Sequence, residues 1–492
     1  MHGTTAQSAQ ASRTSQNVLE TAGWELRYQI DDHQGQTRSS EISFTDVKLQ
    51  RNRIANRAAP ISKLPNEILA AIFEAGYSAP VQERNDISDI PFEILVSHVT
   101  YTWRETALNL APMWTKIHIR VGNPFEQLEG RCTTYLSRSK TMPFDLHIDL
   151  GAITSPLSTN ISFVCQAVIS HVDRCQNLLI RFNWRHSLYQ LAEQLLLRHS
   201  LAAPLLRNLY IRLEPNHLDA TNVTASGDIL AILQGGAPHL TSVRVAGIPL
   251  NYCLPPMSAV TSLHMYEPIY GSSDSCSTTR NILNDLPELT ELVLHGWILD
   301  DYELDSIRLP ALRSLKITTT DDFEYILVPL KVISAPLLED LYISSGTSAI
   351  DFFEEGDLPW DYTAAESRFP LLHSLVLDGC FIPPAIYDAF GCAFPAITEL
   401  TVLGMDLDDV LRHTAWPNLQ ILSFDNSFDN FYAENLLARA LMMRLAIGKP
   451  VHTLRSIKPL QLPAGLVAVE KLWTPPATDM TDWDGDGVRW DD

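Results

Sequence analysis

The sequence has few of the features that usually reveal a secreted protein or a membrane protein. It contains 7 cysteines in 492 residues, an odd number without a Cys-x-x-Cys pair, which fits a reducing compartment better than a disulfide framework. No apolar run reaches the length of a membrane span, and the amino-terminal residues lack the apolar core of a secretory signal. We therefore expect a protein of the cytoplasm or the nucleus.

Basic residues are scarce as well. The chain has 36 Lys and Arg against 58 Asp and Glu, a net charge of −22. Binding to nucleic acid without sequence preference needs a basic surface, and so does binding to an anionic membrane. Neither partner is expected. The hydrophobic content of 46% and the charged content of 19% are typical of a globular protein.

Motifs for catalysis or cofactor binding are also missing. The sequence has no phosphate-binding glycine loop, no Gly-x-Ser-x-Gly elbow and no His-Glu-x-x-His pair, and its 15 histidines are scattered. Asp482, Asp484, Asp486 and Gly487 fit the first half of an EF-hand loop, but neither the later bidentate acid nor the second helix follows. No metal and no cofactor are predicted, and an enzyme carried on this chain is the weakest hypothesis.

Two amphipathic helices are predicted between residues 61 and 118. The first has one apolar face, a proline suited to a first helical turn and a glycine suited to a helix end: Leu64, Ile68, Leu69, Ile72 and Phe73, with Pro65 and Gly76. The second begins at Pro91, ends at Pro112 and carries a single apolar stripe: Leu95, Val99, Trp103, Ala107 and Leu110.

These residues carry a resemblance to a known family. The motifs Leu64-Pro65-x-Glu67-Ile68-Leu69-x-x-Ile72-Phe73, Val96-Ser97-x-Val99-x-x-x-Trp103-Arg104 and Pro112-x-Trp114 resemble the F-box-like domain of the large fungal F-box families. Two departures are Thr100, where a cysteine is usual, and the long polar insert from Ser78 to Asp89. The resemblance implies docking on the Skp-type subunit of a cullin–RING ubiquitin ligase through Leu64, Pro65, Glu67, Ile68, Leu69 and Ile72, with Trp103 in the core.

An internal repeat begins near residue 200. Its core is Pro-x-Leu-x-x-Leu-x-hydrophobic, and its clearest copies end in Leu209/Ile211, Leu292/Leu294, Leu315/Ile317, Leu341/Ile343 and Leu375/Leu377. Weaker copies end in Val243/Val245, Leu263/Met265, Leu400/Val402 and Leu422/Phe424. The last two apolar positions have period two and share one face of a short strand. A unit this short cannot bury its apolar face alone, so stacked copies should form a parallel sheet over one continuous core.

The repeat resembles a leucine-rich-repeat solenoid, which implies an α/β fold with parallel strands and outer helices of variable length. The Asn or Cys that usually follows the strand by three residues is present only at Cys380, so an irregular solenoid is expected. The resulting division is a disordered tail 1–22, a lead-in segment 23–60, the F-box-like domain 61–118, transitional units 119–199 that include possible first repeats, the solenoid 200–425, a cap 426–474 and an acidic tail 475–492.

Two inserts interrupt the repeat. The serine-rich stretch from Pro268 to Arg280 is predicted to be mobile. The longer stretch from Ser344 to Arg368 combines carboxylates with aromatic side chains that could anchor a partner, and the candidate target-binding residues in it are Asp351, Phe353, Glu354, Glu355, Asp357 and Trp360. Residues 285–378 hold 5 basic and 19 acidic residues, a local charge of 5 − 19 = −14, which favours a basic target protein. A solvated loop is the simpler interpretation.

Two functional hypotheses follow. In the first, the chain is a ligase adaptor whose F-box-like helices bind the Skp-type subunit while the repeats present a target for ubiquitination. In the second, it is a leucine-rich-repeat scaffold that joins no ligase and uses the helices as an amino-terminal cap. Exposure of Leu64, Pro65, Ile68 and Leu69 would favour the first, and burial of these side chains would favour the second.

Overall fold

The structure is a computed structural model. It describes residues 48, 50–52, 54, 56, 59–78, 90–120, 125–149, 169–182, 201–213, 231–268, 273–299, 306–319, 324–345, 368–380, 390–404, 416–425, 431–459, 462–463, 465–467 and 469–474. The chain divides into two compact units, Met1–Met113 and Trp114–Asp492.

The first unit is helical in its described part. A 3-10 turn at Pro60–Lys63 leads into three α-helices, which are α1 (Asn66–Ser78), α2 (Phe92–Ser97) and α3 (Tyr101–Asn109). Ring contact between Phe73 on α1 and Trp103 on α3, with centroids 5.1 Å apart, joins the two longer helices. The expected pair of helices is therefore a set of three.

Gly76 does not end α1, which continues to Ser78. Its missing side chain has another consequence, because a Cβ atom built on Gly76 would lie 2.7 Å from Cζ of Phe92. Glycine at this position allows the ring of Phe92 to lie against the backbone of α1.

The second predicted helix is interrupted at Thr100. The Thr100 side chain accepts a hydrogen bond from the Trp103 backbone N–H and caps the start of α3, while α2 has already ended at Ser97. A threonine hydroxyl that satisfies a free helix N–H favours a new start over continuation. Leu95 and Val99, expected to lie on a single buried stripe, are 47% and 48% exposed.

The second unit contains a parallel sheet of fourteen strands among the described residues. The strands, in sheet order, are β1 (Lys116–Arg120), β2 (Phe144–Asp149), β3 (Cys175–Phe182), β4 (Asn208–Leu213), β5 (Ser242–Gly247), β6 (Ser262–Pro268), β7 (Glu291–His295), β9 (Ser314–Thr319), β11 (Asp340–Ser345), β12 (Ser374–Asp378), β13 (Glu399–Leu403), β14 (Ile421–Phe424), β15 (Thr453–Ser456) and β16 (Val469–Leu472). Two short strands, β8 (Ile307–Arg308) and β10 (Ile333–Ser334), pair separately. The sheet order follows the chain order.

The described residues of this unit also form four α-helices: α4 (Phe125–Arg138), α5 (Ser273–Asn284), α6 (Glu324–Val332) and α7 (Phe431–Ala446). Helix α5 covers much of the stretch that was expected to be mobile. Cys276, Thr279, Arg280 and Leu283 are all buried, and their spacing of three and four residues marks one helix face. The prediction of a mobile stretch was wrong because the buried helix face includes polar residues, which the apolar periodicity of the sequence does not reveal.

The repeat copies align strand by strand. Leu292, Leu315, Leu341 and Leu375 stand in register, and so do the second apolar residues, Leu294, Ile317, Ile343 and Leu377. These eight side chains are at most 1% exposed. The weaker copies fall in the same register. The prediction of one parallel sheet over a continuous core is confirmed.

A recurring turn explains the proline of the repeat. The carbonyl of the residue before the proline accepts a hydrogen bond from the leucine two residues after it, as in Ala203 with Leu206, Leu309 with Leu312 and Ala335 with Leu338. Proline suits the second position of such a turn because its φ angle is already near the required value. The leucine that closes the turn is fully buried in each of these copies.

The sheet extends beyond the predicted repeat at both ends. The strands β1 to β3 lie before residue 200, and β15 and β16 lie after residue 425, inside the predicted cap. Trp114, assigned above to the F-box-like motif, packs with α4 in the second unit, against Tyr135 at 5.0 Å and beneath Arg138 at 4.3 Å. Cys380, the only match to the Asn or Cys that usually follows the strand of such a repeat, is buried, and its thiol donates a hydrogen bond to the Ile343 carbonyl.

Candidate interaction surfaces

The first candidate surface is the exposed side of α1. Leu69 and Phe73 are each 1% exposed, whereas Ile68 and Ile72 are 48% and 44% exposed. Residues four apart on a helix share a face. The two isoleucines therefore form an exposed apolar stripe, and Leu69 and Phe73 form a separate, buried one. The predicted contact residues therefore divide between two sides of the helix.

The other predicted contact residues flank the exposed stripe in sequence. Pro65 and Glu67 are exposed, and Leu64 is half-buried. The Pro65 carbonyl accepts hydrogen bonds from the Ile68 and Leu69 backbone N–H groups, each at 3.1 Å, and so begins the helix. Leu69 does not fit the expectation of an exposed contact residue, because its side chain is buried.

More apolar side chains of the first unit are exposed than its size would suggest. Besides Ile68 and Ile72, these are Ile61 at 39%, Ile90 at 53%, Leu95 at 47% and Val99 at 48%. Single exposed apolar residues are ordinary, but several on one small unit indicate an interaction surface. Leu95 and Val99 were not among the predicted contact residues, because one continuous helix would have buried them.

The second candidate surface is the open face of the large sheet, which carries the side chains between the buried positions of each strand. From β7 to β12 these include Glu291, Val293, Ser314, Lys316, Asp340, Tyr342, Ser374 and Val376. Lys316 Nζ lies 4.6 Å from the centroid of the Tyr342 ring, and the Tyr342 hydroxyl donates to Asp378. Burial and this hydrogen bond raise the pKa of Tyr342.

Ser262, His264 and Glu291 form a polar network on the same face. The Ser262 hydroxyl donates to Glu291 Oε2 at 2.6 Å and lies 3.2 Å from His264 Nε2. The same nitrogen lies 3.6 Å from Glu291. In a Ser-His-acid triad the two ring nitrogens serve different partners, whereas here Nε2 faces both. The network is a structural hydrogen-bonded link between β6 and β7.

The charge states in this network follow from burial and hydrogen bonding. The neighbouring His264 side chain, together with the hydrogen bond from Ser262, lowers the pKa of Glu291 to about 2. Burial lowers the pKa of His264 even though Glu291 acts in the opposite direction. The carboxylate is therefore charged and the imidazole neutral at pH 7, so their 3.6 Å contact is not a pairing of two full charges.

A basic group lies on the open face from β3 to β5, and we call it the basic strip: Arg181, Arg212 and Arg244 around Tyr210. Arg181 pairs in register with Arg212, and Tyr210 pairs in register with Arg244. Burial raises the pKa of the Tyr210 hydroxyl, while Arg212, Arg181 and Arg244 act against that shift, so all three guanidinium groups are within electrostatic reach of this hydroxyl.

Between β3 and Tyr266 the open-face residues around the basic strip are apolar or neutral. Tyr210 is 8% exposed and packs in a small cluster with Leu179, Ala246 and Tyr266. The Tyr266 ring lies 5.2 Å from that of His295, whose Nδ1 is 2.6 Å from the Thr318 hydroxyl. From β3 to Tyr266 the open-face positions contain no Asp or Glu; they are Asn177, Leu179, Arg181, Asn208, Tyr210, Arg212, Ser242, Arg244, Ala246, Ser262, His264 and Tyr266.

The sequence interpretation missed the basic strip, although a signal was present. Arg244 occupies the variable position between the two apolar residues of its repeat, and Arg212 follows the second apolar residue of the preceding copy. Arg181 belongs to a strand for which no repeat was recognised. Without that strand, two separated arginines in an acidic chain do not indicate a cluster.

The predicted target-binding residues lie outside the described residues. This applies to Asp351, Phe353, Glu354, Glu355, Asp357 and Trp360, and to the half EF-hand sequence near the carboxyl end. Within the described ranges, no three His, Cys, Asp or Glu side chains come together in a way that could hold a metal ion. Every helix that the structure describes is too short or too polar to cross a membrane.

Comparisons with known proteins add little to this description. No family model matches the chain, and no curated protein matches it. A crystal structure of a protein from Bacteroides fragilis is similar over 38% of this chain and 60% of that protein, with 15% identity and a TM-score of 0.28. The chain is thus described by its own fold, a long parallel sheet of solenoid-like repeats preceded by a small helical unit.

Proposed function

We propose that this protein is a substrate-recognition adaptor of a cullin–RING ubiquitin ligase. In this proposal the helices of residues 61–118 dock on the Skp-type subunit, and the repeats bind the protein to be ubiquitinated. The adaptor joins two partners and carries out no chemistry of its own.

The observation that carries the proposal is the exposed apolar stripe of Ile68 and Ile72 beside Pro65. Leu69, on the other side of the same helix, is buried. Burial of such side chains in a partner interface contributes much of the binding free energy, since apolar anchors in desolvated pockets dominate most interfaces. Leu95 and Val99 add exposed apolar area to the same unit.

The test is binding of the purified full-length chain to a Skp-type subunit. Ile68→Ala combined with Ile72→Ala should weaken binding about thirtyfold or more, because truncation at a desolvated hot spot costs about 2 kcal/mol. A matched control is Leu337→Ala with Leu371→Ala, which truncates two exposed leucines of the repeat unit, 38% and 50% exposed.

Two results would refute the adaptor proposal: no binding by the wild-type chain, or equal binding by both double variants. The protein would then be a repeat scaffold that joins no ligase, and its own partners would persist after deletion of residues 61–118. The prediction that a basic protein binds at Asp351 to Trp360 stays a separate proposal, tested by neutralising Asp351, Glu354, Glu355 and Asp357 together at low salt.

A further inference from the structure

The basic strip is unusual because it lies on a chain with a net charge of −22. Neighbouring strands are about 4.8 Å apart, so the register places Arg181 beside Arg212. Arg244 lies diagonally from Arg212, about 7–8 Å away at the backbone. Arg181 and Arg212 lie directly opposite each other, where like charges repel, while Asp149 lies opposite Arg181 and Glu291 is within electrostatic reach of Arg244.

The borders of the basic strip are also defined. Asp149 is the register neighbour of Arg181 on β2 and bounds the strip on one side. On the other side the next acid is Glu291, which already accepts hydrogen bonds from Ser262 and lies against His264. The strip therefore spans about three strands, or roughly 10 Å, and fits a few anionic groups and no more.

We propose that the basic strip binds a short acidic segment of a partner protein, through carboxylates or phosphoryl groups on that segment. Arginine suits this role because its planar guanidinium binds both kinds of oxyanion with two parallel hydrogen bonds. The neutral Tyr210 hydroxyl adds a polar group among the charges.

A short protein segment fits the strip better than a nucleic acid does. Charge interactions are screened beyond about 8–10 Å at physiological salt, so a short ligand interacts with the strip more than with the acidic remainder of the chain. A long polyanion would extend beyond the three arginines over that acidic remainder. Tyr210, at 8% exposure, does not offer its ring for stacking with a base.

This inference rests on the part of the proposed function that gives target binding to the repeats, and it is independent of docking by the helical unit. It is also separate from the predicted basic partner, whose contact residues lie outside the described ranges.

The experiment measures fluorescence anisotropy of labelled peptides with the full-length chain at low salt. The probes are Gly-Ser peptides carrying three glutamates, three phosphoserines or three glutamines. The glutamate or the phosphoserine peptide should bind, the glutamine peptide should not, and added salt should weaken binding. The first two arms identify which oxyanion the strip prefers.

Arg181→Gln, Arg212→Gln and Arg244→Gln together should weaken that binding at least about tenfold, the sum expected for three partly screened charge contacts. The matched control removes three cations away from the open face, namely Arg308→Gln, Arg439→Gln and Lys449→Gln, and should stay within about twofold. Thermal unfolding checks the fold of each variant. If the triple variant unfolds, Arg244→Gln alone should still weaken binding about twofold or more.

The inference is overturned if neither anionic peptide binds, if the glutamine peptide binds equally well, or if the triple variant and its control lose binding to the same degree. Single-stranded RNA that binds more tightly than the peptides, with the same loss in the triple variant, would assign the strip to nucleic acid. Ile68→Ala with Ile72→Ala should leave peptide binding unchanged, so failure of this inference and failure of the adaptor proposal can be told apart.

Discussion

Leu315→Ala tests the stacked core most directly. Leu315 is 0% exposed, and its register neighbours on either side, Leu292 and Leu341, are 0% and 1% exposed. The change removes three carbon atoms, which at about 0.8 kcal/mol each gives about 2.4 kcal/mol of lost transfer free energy. Both neighbouring strands are held by their own ladder hydrogen bonds, so the cavity closes little, and we expect a total of about 3–4 kcal/mol.

Lys316→Ala is the matched control on the same strand. Its side chain lies on the open face over the Tyr342 ring at 4.6 Å, a contact worth about 0.5–1 kcal/mol. The assay is urea unfolding of the full-length chain followed by tryptophan fluorescence, with the midpoint and the slope m fitted for each variant. A common slope is required, because a changed slope would mean that part of the sheet unfolds separately.

The reasoning would be refuted if the two variants lost similar stability, each below about 1 kcal/mol. Such a result would mean that Leu315 does not stand between two fixed layers of leucine, and the shared register of the repeats would have to be abandoned.

Three further predictions concern other parts of the chain. Gly76→Ala should destabilise the helical unit less when Phe92→Ala is also present, measured as a double-mutant cycle in thermal unfolding, and additive effects would contradict the close approach. Thr100→Ala should cost about 0.5–2 kcal/mol through the lost cap, measured by denaturant unfolding, whereas Thr100→Ser should cost much less. Folding lowers the pKa values of both Glu291 and His264. Each group therefore stabilises the folded state above its unfolded pKa, and this stabilisation is lost as the pH falls. The loss begins below about 6.5 for His264 and runs from 4.5 towards about 2 for Glu291. Glu291→Gln should remove the second part of this loss in the pH dependence of the melting temperature, and an unchanged profile would contradict it.

The repeat could be predicted from sequence because the signals for its structure lie within each copy. A proline turn, a buried leucine and a Leu-x-hydrophobic pair together define where a strand starts and which face it buries. The same pattern failed at both ends of the sheet. At the proline position of the repeat β2, β3 and β15 have other residues, and β1 follows Pro112 but has Trp114 in place of the leucine, although Ile117, Leu146, Leu178 and Leu454 are buried in register. A strand without its turn signal is hard to separate from other apolar stretches.

The candidate sites could be predicted less well than the fold. Apolar periodicity located α1 but could not show that Leu69 is buried and Ile68 exposed. Both residues are apolar and adjacent, and the packing of the helix decides which of them is buried. The basic strip depends on register between strands that are far apart in sequence, and Arg181 and Arg212 become neighbours only when β3 and β4 pair. Local patterns therefore identify the scaffold, while the surface chemistry depends on how the layers align.

A ladder built in chain order has an open hydrogen-bonding edge at each end. In the described part of the chain these edges are β1 and β16, and every interior strand of the large sheet pairs parallel to its neighbours. Pairing of β16 of one molecule with β1 of the next would be a head-to-tail contact, the kind that produces filaments. Natural sheets limit such growth with charged residues on the edge strands. Lys116 on β1 and Lys471 on β16 are charged residues of this kind, one on each edge strand.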